Sequence, residues 1–308
     1  MCALFGWLDY KGKVPYKVLK KLTQTLANAA EERGTDAAGI AYLKDKHITI
    51  YKRPKPAHRV RFHAPDGTRA VMGHTRFATQ GDKRHNYNNH PFYGQADKSF
   101  ALCHNGVLYN DASLRAVKNF PATHIETDSY IAVQLIEQQG KLNFSTLRKM
   151  AEDVHGSFVF TVLDEDNALW FVKGDNPLYL IHFPALGLYA YASTPTIMTT
   201  ALLCTPLCHI PYEVIDADEG DIIRINSKGK ITRDNFKPTF VSLRNTHAES
   251  TSPSCDENYA MLIDMCGYFG VSEEDIRDLI DMGYSYDEIE EFLMNPSLLD
   301  EEYFYSEL

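Results

Sequence analysis

Apolar residues over the first 240 positions fall mostly into short blocks of strand length, broken by a few stretches with helical spacing. "ALFGWL" (3–8) opens the chain as a strand. "YKVLKKLTQTLANAAEER" (16–33) puts Val18, Leu19, Leu22, Leu26 and Ala29 on one helical face and meets a stop at Arg33-Gly34. "AAGIAYL" (37–43) and "HITIYK" (47–52) read as a strand pair, and further strands follow at 70–75 and 99–104. "TDSYIAVQLIEQQG" (127–140) reads as a helix ended by Gly140. Four apolar blocks between 156 and 193 read as a meander of short strands, "PTIMTTALL" (195–203) as a short helix, and 220–236 as a hairpin turning at Ser227-Lys228-Gly229. Strand blocks with helices at both ends, without β-α-β alternation, predict an α+β fold.

Composition narrows this little. The chain has 308 residues, 44% hydrophobic and 23% charged, enough for one large domain or two smaller ones. No stretch approaches the ~20 apolar residues needed to span a bilayer, and Asp9, Lys11 and Lys13 interrupt the first apolar run too early for a signal peptide. The six cysteines have no disulfide spacing, and Cys204–Cys208 lacks the second pair or histidines of a zinc site. Reduced thiols, a cytoplasmic location and no metal or cofactor are expected.

Charge is what divides the chain. Residues 256–308 hold sixteen Asp/Glu against the single Arg277, a net of −15 in a protein whose total is −10. The polar stretch "SLRNTHAESTSPSC" (242–255) before them has linker composition. The expected organisation is a body over 2–240, a linker over 241–255 and an acidic helical appendix over 256–308. The appendix reads as three helices: 256–269, then 272–283 from a capping box at Ser272 and Asp275, then 285–293 from Ser285 and Glu288. "DMGYSYDEIEEFL" loosely resembles a ubiquitin-associated three-helix bundle, which leaves a protein-docking module and an acidic solubilising tail both open. "KRPKPAHRVR" (52–61) carries five Lys/Arg but no interleaved aromatics, so it reads as a solvated loop and not as a nucleic-acid surface.

Position 2 raises the first chemical question. If Met1 is removed, Cys2 carries both a thiol and an α-amine whose reference pKa, near ~7.7–8.0, lets it act as a base at neutral pH. Three later stretches bring polar groups to expected strand ends. In "GHTRFATQG" (73–81), Arg76 offers a guanidinium fork suited to a carboxylate. In "HNG" (104–106), Asn105 and Gly106 offer the side-chain and backbone N–H donors of an oxyanion hole. In "ETDS" (126–129), Asp128 offers an acceptor for an ammonium group. A carboxylate grip, an ammonium grip and an oxyanion hole together describe a site for an α-amino acid whose side-chain carbonyl is attacked. Each also has a plain structural reading: a surface ion pair for Arg76, a hairpin turn for Asn105-Gly106, a helix cap for Asp128.

Cys2, "RGTDAAGIA" (33–41), "GHTRFATQG", "NNHPF" (88–92), "HNG" and "ETDS" occur in the order and approximate spacing of the class II glutamine amidotransferases. The resemblance runs on through "HGSFVFTVLD", "KGDNPLYL" and "YAYAST" and covers about 2–240. It implies a four-layer αββα sandwich of the N-terminal-nucleophile hydrolase kind, with a small C-terminal helical module attached here. It implies L-glutamine as substrate, Cys2 as nucleophile, Asn105 and Gly106 as oxyanion donors, and Arg76 and Asp128 as the grips on the α-carboxylate and α-ammonium. Thr79 belongs with the substrate pocket, and Arg33, Asp36 and His90 are supporting positions, Arg33 and Asp36 as a pair that could order the turn beside the nucleophile. His104 is expected only to orient the Asn-Gly turn.

Phe77 and Gln80 depart from the glucosamine synthase pattern, which has Trp and His there, so membership of that branch does not follow. No sugar-isomerase or phosphoribosyl-binding domain follows residue 240 in this sequence, so the ammonia is expected to pass to a separate synthase or ligase subunit. The alternatives are an amidohydrolase acting alone on γ-glutamyl compounds, and a non-catalytic scaffold, which fits poorly with a full set of site residues.

Overall fold

The computed structural model describes residues 2–238 and, further on, 271–281, Tyr284 and Ile289. Contacts divide the chain into two units, Met1–Val241 and Ser242–Leu308.

The first unit is built on two antiparallel sheets. One has seven strands in the order β11-β9-β10-β1-β4-β2-β3, and the other six in the order β13-β12-β8-β7-β6-β5. The strands of the first sheet are β1 (Ala3–Asp9), β2 (Ala37–Lys44), β3 (His47–Arg53), β4 (Ala70–Arg76), β9 (Tyr179–Phe183), β10 (Leu188–Ala192) and β11 (Glu213–Ile215). Those of the second are β5 (Phe92–Gln95), β6 (Ser99–Leu108), β7 (Gly156–Asp164), β8 (Leu169–Lys173), β12 (Asp221–Ile225) and β13 (Ile231–Asn235).

Strand alternation sorts the apolar residues into three cores. In β1, Ala3, Phe5 and Trp7 face α1 (Tyr16–Ala29) and α5 (Pro195–Leu203), meeting Leu22, Leu26, Ile197 and Met198. Leu4 and Leu8 point the other way, into the layer between the sheets with Met72, Leu163, Phe171 and Tyr191. On the far side of the second sheet, Leu102, Phe160 and Val172 pack against Ile131, Leu135, Leu147 and Met150 of α3 (Tyr130–Gln139) and α4 (Phe144–Asp153). The order helix, sheet, sheet, helix is the expected αββα sandwich.

Several local readings change. The four blocks between 156 and 193 are not one meander: β7 and β8 pair in the six-stranded sheet, while β9 and β10 pair in the seven-stranded one. The chain crosses layers over 174–178, a connection the apolar pattern cannot tell from a hairpin. The "HNG" stretch is not a turn. Strand β6 runs through it to Leu108, with Asn105 opposite Val159 and Gly106 opposite Phe158. α2 (Asp111–Lys118), α4, β5 and β11 were not read from the sequence. Three of the four span eight residues or fewer, and α4 shows its start only in a local cap, the Asn143 side chain accepting from the Thr146 N–H at 2.9 Å.

In the second unit, α6 (Glu273–Asp281) lies within the expected 272–283 helix, and Arg277 reaches Glu273 one turn earlier at 2.6 Å. The expected linker and the 256–269 helix lie outside the described residues, as does nearly all of 285–293.

Candidate active site

The first described residue sits where the two innermost strands of one sheet end. β1 and β4 pair with Ala3 opposite Thr75, which brings Cys2 beside the end of β4. There the Cys2 thiol lies 3.4 Å from the Phe77 carbonyl, to which it can donate, and accepts from the Phe77 N–H at the same distance. Arg33 Nε donates to the Cys2 carbonyl at 2.9 Å, fixing the backbone of that residue. Burial pushes the thiol above its ordinary pKa; the Phe77 amide and the Arg76 charge oppose this, and Asp128 adds to it.

The "RGTD" turn packs under the same corner. Gly34 lies so close to the backbone of Arg76 and Phe77 that a Cβ there would stand 2.5 Å from the Arg76 carbonyl carbon, so no side chain fits. Asp36 Oδ2 accepts from the Ala78 N–H at 2.9 Å, and Oδ1 takes Lys83 Nζ at 2.5 Å. Asp36 thus holds the 77–83 loop, while Arg33 holds Cys2. Both residues support the corner, each through a partner the sequence reading did not name.

Arg76 is buried, at 3% exposure, so its reading as a surface ion pair fails. Nη1 donates to Asn89 Oδ1 at 2.7 Å, and Nη2 donates to the Gln80 carbonyl and to the Gly81 carbonyl at 3.2 Å. The guanidinium is held by the loop that follows it and by the segment ending at His90. Thr79 lies exposed at the tip of that loop.

Asn105 is 1% exposed, and its Nδ2 has no hydrogen-bond partner. A buried amide nitrogen left without an acceptor costs on the order of 1–3 kcal/mol, which a ligand oxygen would return. Gly106 has φ +142°, and a Cβ on it would lie 1.8 Å from the Ser157 carbonyl oxygen. Only glycine can hold the strand at that point.

Asp128 does not cap its helix. Its Oδ2 accepts from the Leu108 N–H at 2.8 Å and its Oδ1 from the Ser129 hydroxyl at 3.1 Å, while Ser129 Oγ stands 2.8 Å from His104 Nδ1. His104 therefore works through Ser129 on the Asp128 carboxylate and not on a turn. A second buried carboxyl, Asp111, has its pKa raised by burial and then by the nearby Asp128 charge.

Behind these groups lie three buried histidines. His74 Nε2 donates to the His104 carbonyl at 2.9 Å, which fixes its tautomer, and burial pushes it down to about 3. His90 lies against His74 with ring centroids 4.1 Å apart and the rings tilted by 32°, and both its ring nitrogens lack hydrogen-bond partners. Burial holds it well below its ordinary value, so it packs as a neutral ring. No cluster of metal-binding side chains occurs among the described residues.

Cys2, Arg33, Asp36 and Arg76 meet at one corner; Asn105 and Gly106 stand on β6, and Asp128 is tied to the end of that strand. Sequence reading missed Asn89 and Ser129, which act as partners of Arg76 and Asp128, and the buried carboxyl of Asp111 near Asp128. Asn89 lay inside a quoted motif, but nothing in the sequence marks it as the residue Arg76 would need.

Residues 74–200 match a family model described as a glutamine amidotransferase domain. Glutamine–fructose-6-phosphate aminotransferase (isomerizing) of Staphylococcus aureus strain Mu50 is 32% identical over 195 residues, 58% of this chain and 30% of that protein. The Staphylococcus epidermidis protein of the same name, strain ATCC 12228, is 32% identical over 190 residues with the same coverage. The chain thus spans about 30% of the length of these curated relatives. Among solved structures, the glutamine phosphoribosylpyrophosphate amidotransferase of B. subtilis superposes with a TM-score of 0.59 at 19% identity, over 77% of this chain and 49% of that one. A structure titled as the allosteric regulatory enzyme of purine biosynthesis gives 0.60 at 19% identity with the same coverage. At that identity the likeness speaks for the fold.

Proposed function

We propose, from the premise that the body of this chain is a class II glutamine amidotransferase domain with the N-terminal-nucleophile hydrolase fold, that it hydrolyses the side-chain amide of L-glutamine through Cys2 and passes the ammonia to an acceptor-bearing synthase or ligase. The observation that carries this reading is the buried Asn105 Nδ2 without an acceptor, on the strand next to a glycine that admits no side chain.

In this mechanism Met1 is removed. The α-amine of Cys2 takes the thiol proton, directly or through water, as the sulfur attacks the glutamine Cδ. Burial raises the thiol pKa, so a base beside the sulfur assists its attack. The carbonyl oxygen gains the negative charge and is held by Asn105 Nδ2 and the Gly106 N–H. The proton passes to the departing nitrogen, the C–N bond breaks and ammonia leaves, with Cys2 now a thioester. Water, deprotonated by the same amine, cleaves the thioester and releases glutamate. Arg76 receives the substrate α-carboxylate and Asp128 its α-ammonium. Thr79 borders the pocket, Arg33 and Asp36 hold its corner, and His90 fills the space behind it.

The test is direct. Purified protein lacking Met1 is incubated with glutamine, and glutamate and ammonia are assayed in parallel with γ-glutamyl peptides. Stoichiometric glutamate and ammonia support the proposal. Turnover of γ-glutamyl peptides in preference to glutamine would replace it with the amidohydrolase reading, and turnover of neither, with Cys2 unlabelled by a glutamine-like diazoketone, would overturn both.

A further inference from the structure

We propose that Lys52, outside the expected machinery, is a positioning residue that sets the substrate-carboxylate grip by clamping the segment that holds Arg76. The proposal rests on the reading of Arg76 as that grip.

Lys52 was read as part of a solvated basic loop, and the structure corrects this. It lies on β3, and its ammonium turns inward, donating to the Asn89 carbonyl at 2.5 Å and the Pro91 carbonyl at 3.0 Å, with the Phe92 ring centroid 5.1 Å away. The same residue's carbonyl accepts from Asn86 Nδ2 at 2.9 Å. Lys52 thus ties down both ends of the 86–91 segment. Asn89 sits between: its Oδ1 takes Arg76 Nη1 at 2.7 Å, and its Nδ2 donates to the Lys83 carbonyl at 2.9 Å. A continuous chain of hydrogen bonds runs from Lys52 through the Asn89 backbone and side chain to the guanidinium.

Lysine suits this position. Its compact ammonium can satisfy two converging carbonyls with separate N–H donors, which a neutral amide reaches less well. Removing it leaves two carbonyls without that donor and lets Asn89 shift. A guanidinium displaced by a fraction of an ångström loses a two-point hold on a carboxylate, because that hold depends on angle. Lys52 also adds a second positive charge near the grip, favouring an anion. Arg76 of β4 and Cys103 of β6 face its ammonium, with His74 and His90 held neutral beside it. Burial first, then Arg76, lower it to about 8, with Cys103 opposing. The clamp therefore carries its charge at neutral pH and loses it in mildly alkaline solution.

The test compares wild type, Lys52→Gln and Lys52→Arg for glutamine turnover between pH 6.5 and 9.5. The Gln variant is expected to raise KM on the order of tenfold while kcat changes by less than about threefold, the pattern of lost ground-state positioning. In wild type, KM climbs above pH ~8. In Lys52→Arg, which stays charged and shares every other titration, KM remains near the wild-type neutral value and that climb is reduced. An unchanged KM in Lys52→Gln, or an equal alkaline climb in the Arg variant, overturns the proposal. If wild type turns over no glutamine, the functional reading fails separately. Hydrogen exchange then decides the clamp: amides of 86–92 exchange faster in Lys52→Gln with the rest of the sandwich unchanged, and equal exchange overturns it.

Discussion

The Cys2 sulfur stands 3.4 Å from both the amide nitrogen and the carbonyl oxygen of Phe77, the residue that follows Arg76. The proposed nucleophile and carboxylate grip are thus joined through one peptide at the ends of paired strands. This corner is built from strands, a glycine contact and buried hydrogen bonds, so its geometry is set before substrate arrives.

Replacing Cys2 tests the nucleophile. Cys2→Ala is expected to abolish glutamate release and labelling by a glutamine-like diazoketone, with folding intact because the residue is only half-buried. In wild type the labelling rate should rise with pH through the range of an α-amine, ~7.7–8.0, as that amine becomes able to take the thiol proton. Intact mass of active material should begin at Cys2. Hydrolysis surviving in Cys2→Ala, or activity in protein retaining Met1, removes the mechanism.

Asn105 separates chemistry from binding. Its free Nδ2 has no other structural role among the described residues, so Asn105→Ala is expected to lower kcat by about 100-fold or more while KM moves little. Gly106→Ala places a Cβ 1.8 Å from the Ser157 carbonyl oxygen and should lower activity and melting temperature together. An Asn105→Ala enzyme with normal kcat would reassign the oxyanion hole.

The two substitutions also mark what the sequence disclosed. Cys2, Arg76, Asn105 and Asp128 could be proposed from the sequence because their motifs occur together in the order of a known family. Singly, Arg76, Asn105 and Asp128 read as an ion pair, a turn and a helix cap. Their partners could not be proposed in that way. Asn89 meets Arg76 and Lys52 only through a loop folding back on β3, and that proximity has no period in the sequence. Strand blocks between helices made the α+β class legible, and the family resemblance implied the αββα layering. The crossing between sheets after β8 was not legible, since an apolar strand in either sheet has the same pattern.

Binding should respond to the two charged grips. Arg76→Lys keeps a cation but loses the fork, and Asp128→Asn removes the charge while keeping an acceptor for the Leu108 N–H. Each is expected to weaken glutamine binding by about 1.5–3 kcal/mol, read as a rise in KM with a smaller change in kcat. A fall in kcat at unchanged KM for both would show that neither holds ground-state substrate.

Acid should destabilise the body through its histidines. His74, His90 and His104 are buried and have folded-state pKa values below the ordinary 6.5, His74 at about 3. The unfolded chain therefore binds more protons as pH falls below ~6.5, so the stabilisation is full above that value and is lost on the way down. By pH 5 the loss is about 2 kcal/mol per histidine whose folded pKa lies lower still. Chemical denaturation at pH 7.5, 6 and 5 checks this, and His90→Gln should flatten the slope. A stability that holds level from pH 7.5 to 5 would mean these rings are protonated in the folded protein.

The acidic appendix should be separable from catalysis. The contact division falls at Val241–Ser242, and every proposed site residue lies between Cys2 and Asp128 in the first unit. A protein ending at Val241 is expected to remain folded and to keep kcat/KM for glutamine within about threefold, since no group that acts on the substrate is removed. What it should lose is salt-sensitive association. Residues 256–308 carry a net −15, which would favour encounter with a basic surface on the proposed acceptor enzyme, an attraction that weakens as the Debye length falls below about 8 Å. Full-length and shortened protein, compared at low and high salt for binding to that enzyme and for glutaminase stimulation by it, decide the point. Equal binding and equal stimulation of both forms would leave the appendix without a docking role, and collapse of the shortened enzyme's intrinsic glutamine turnover would show that the body does not act alone.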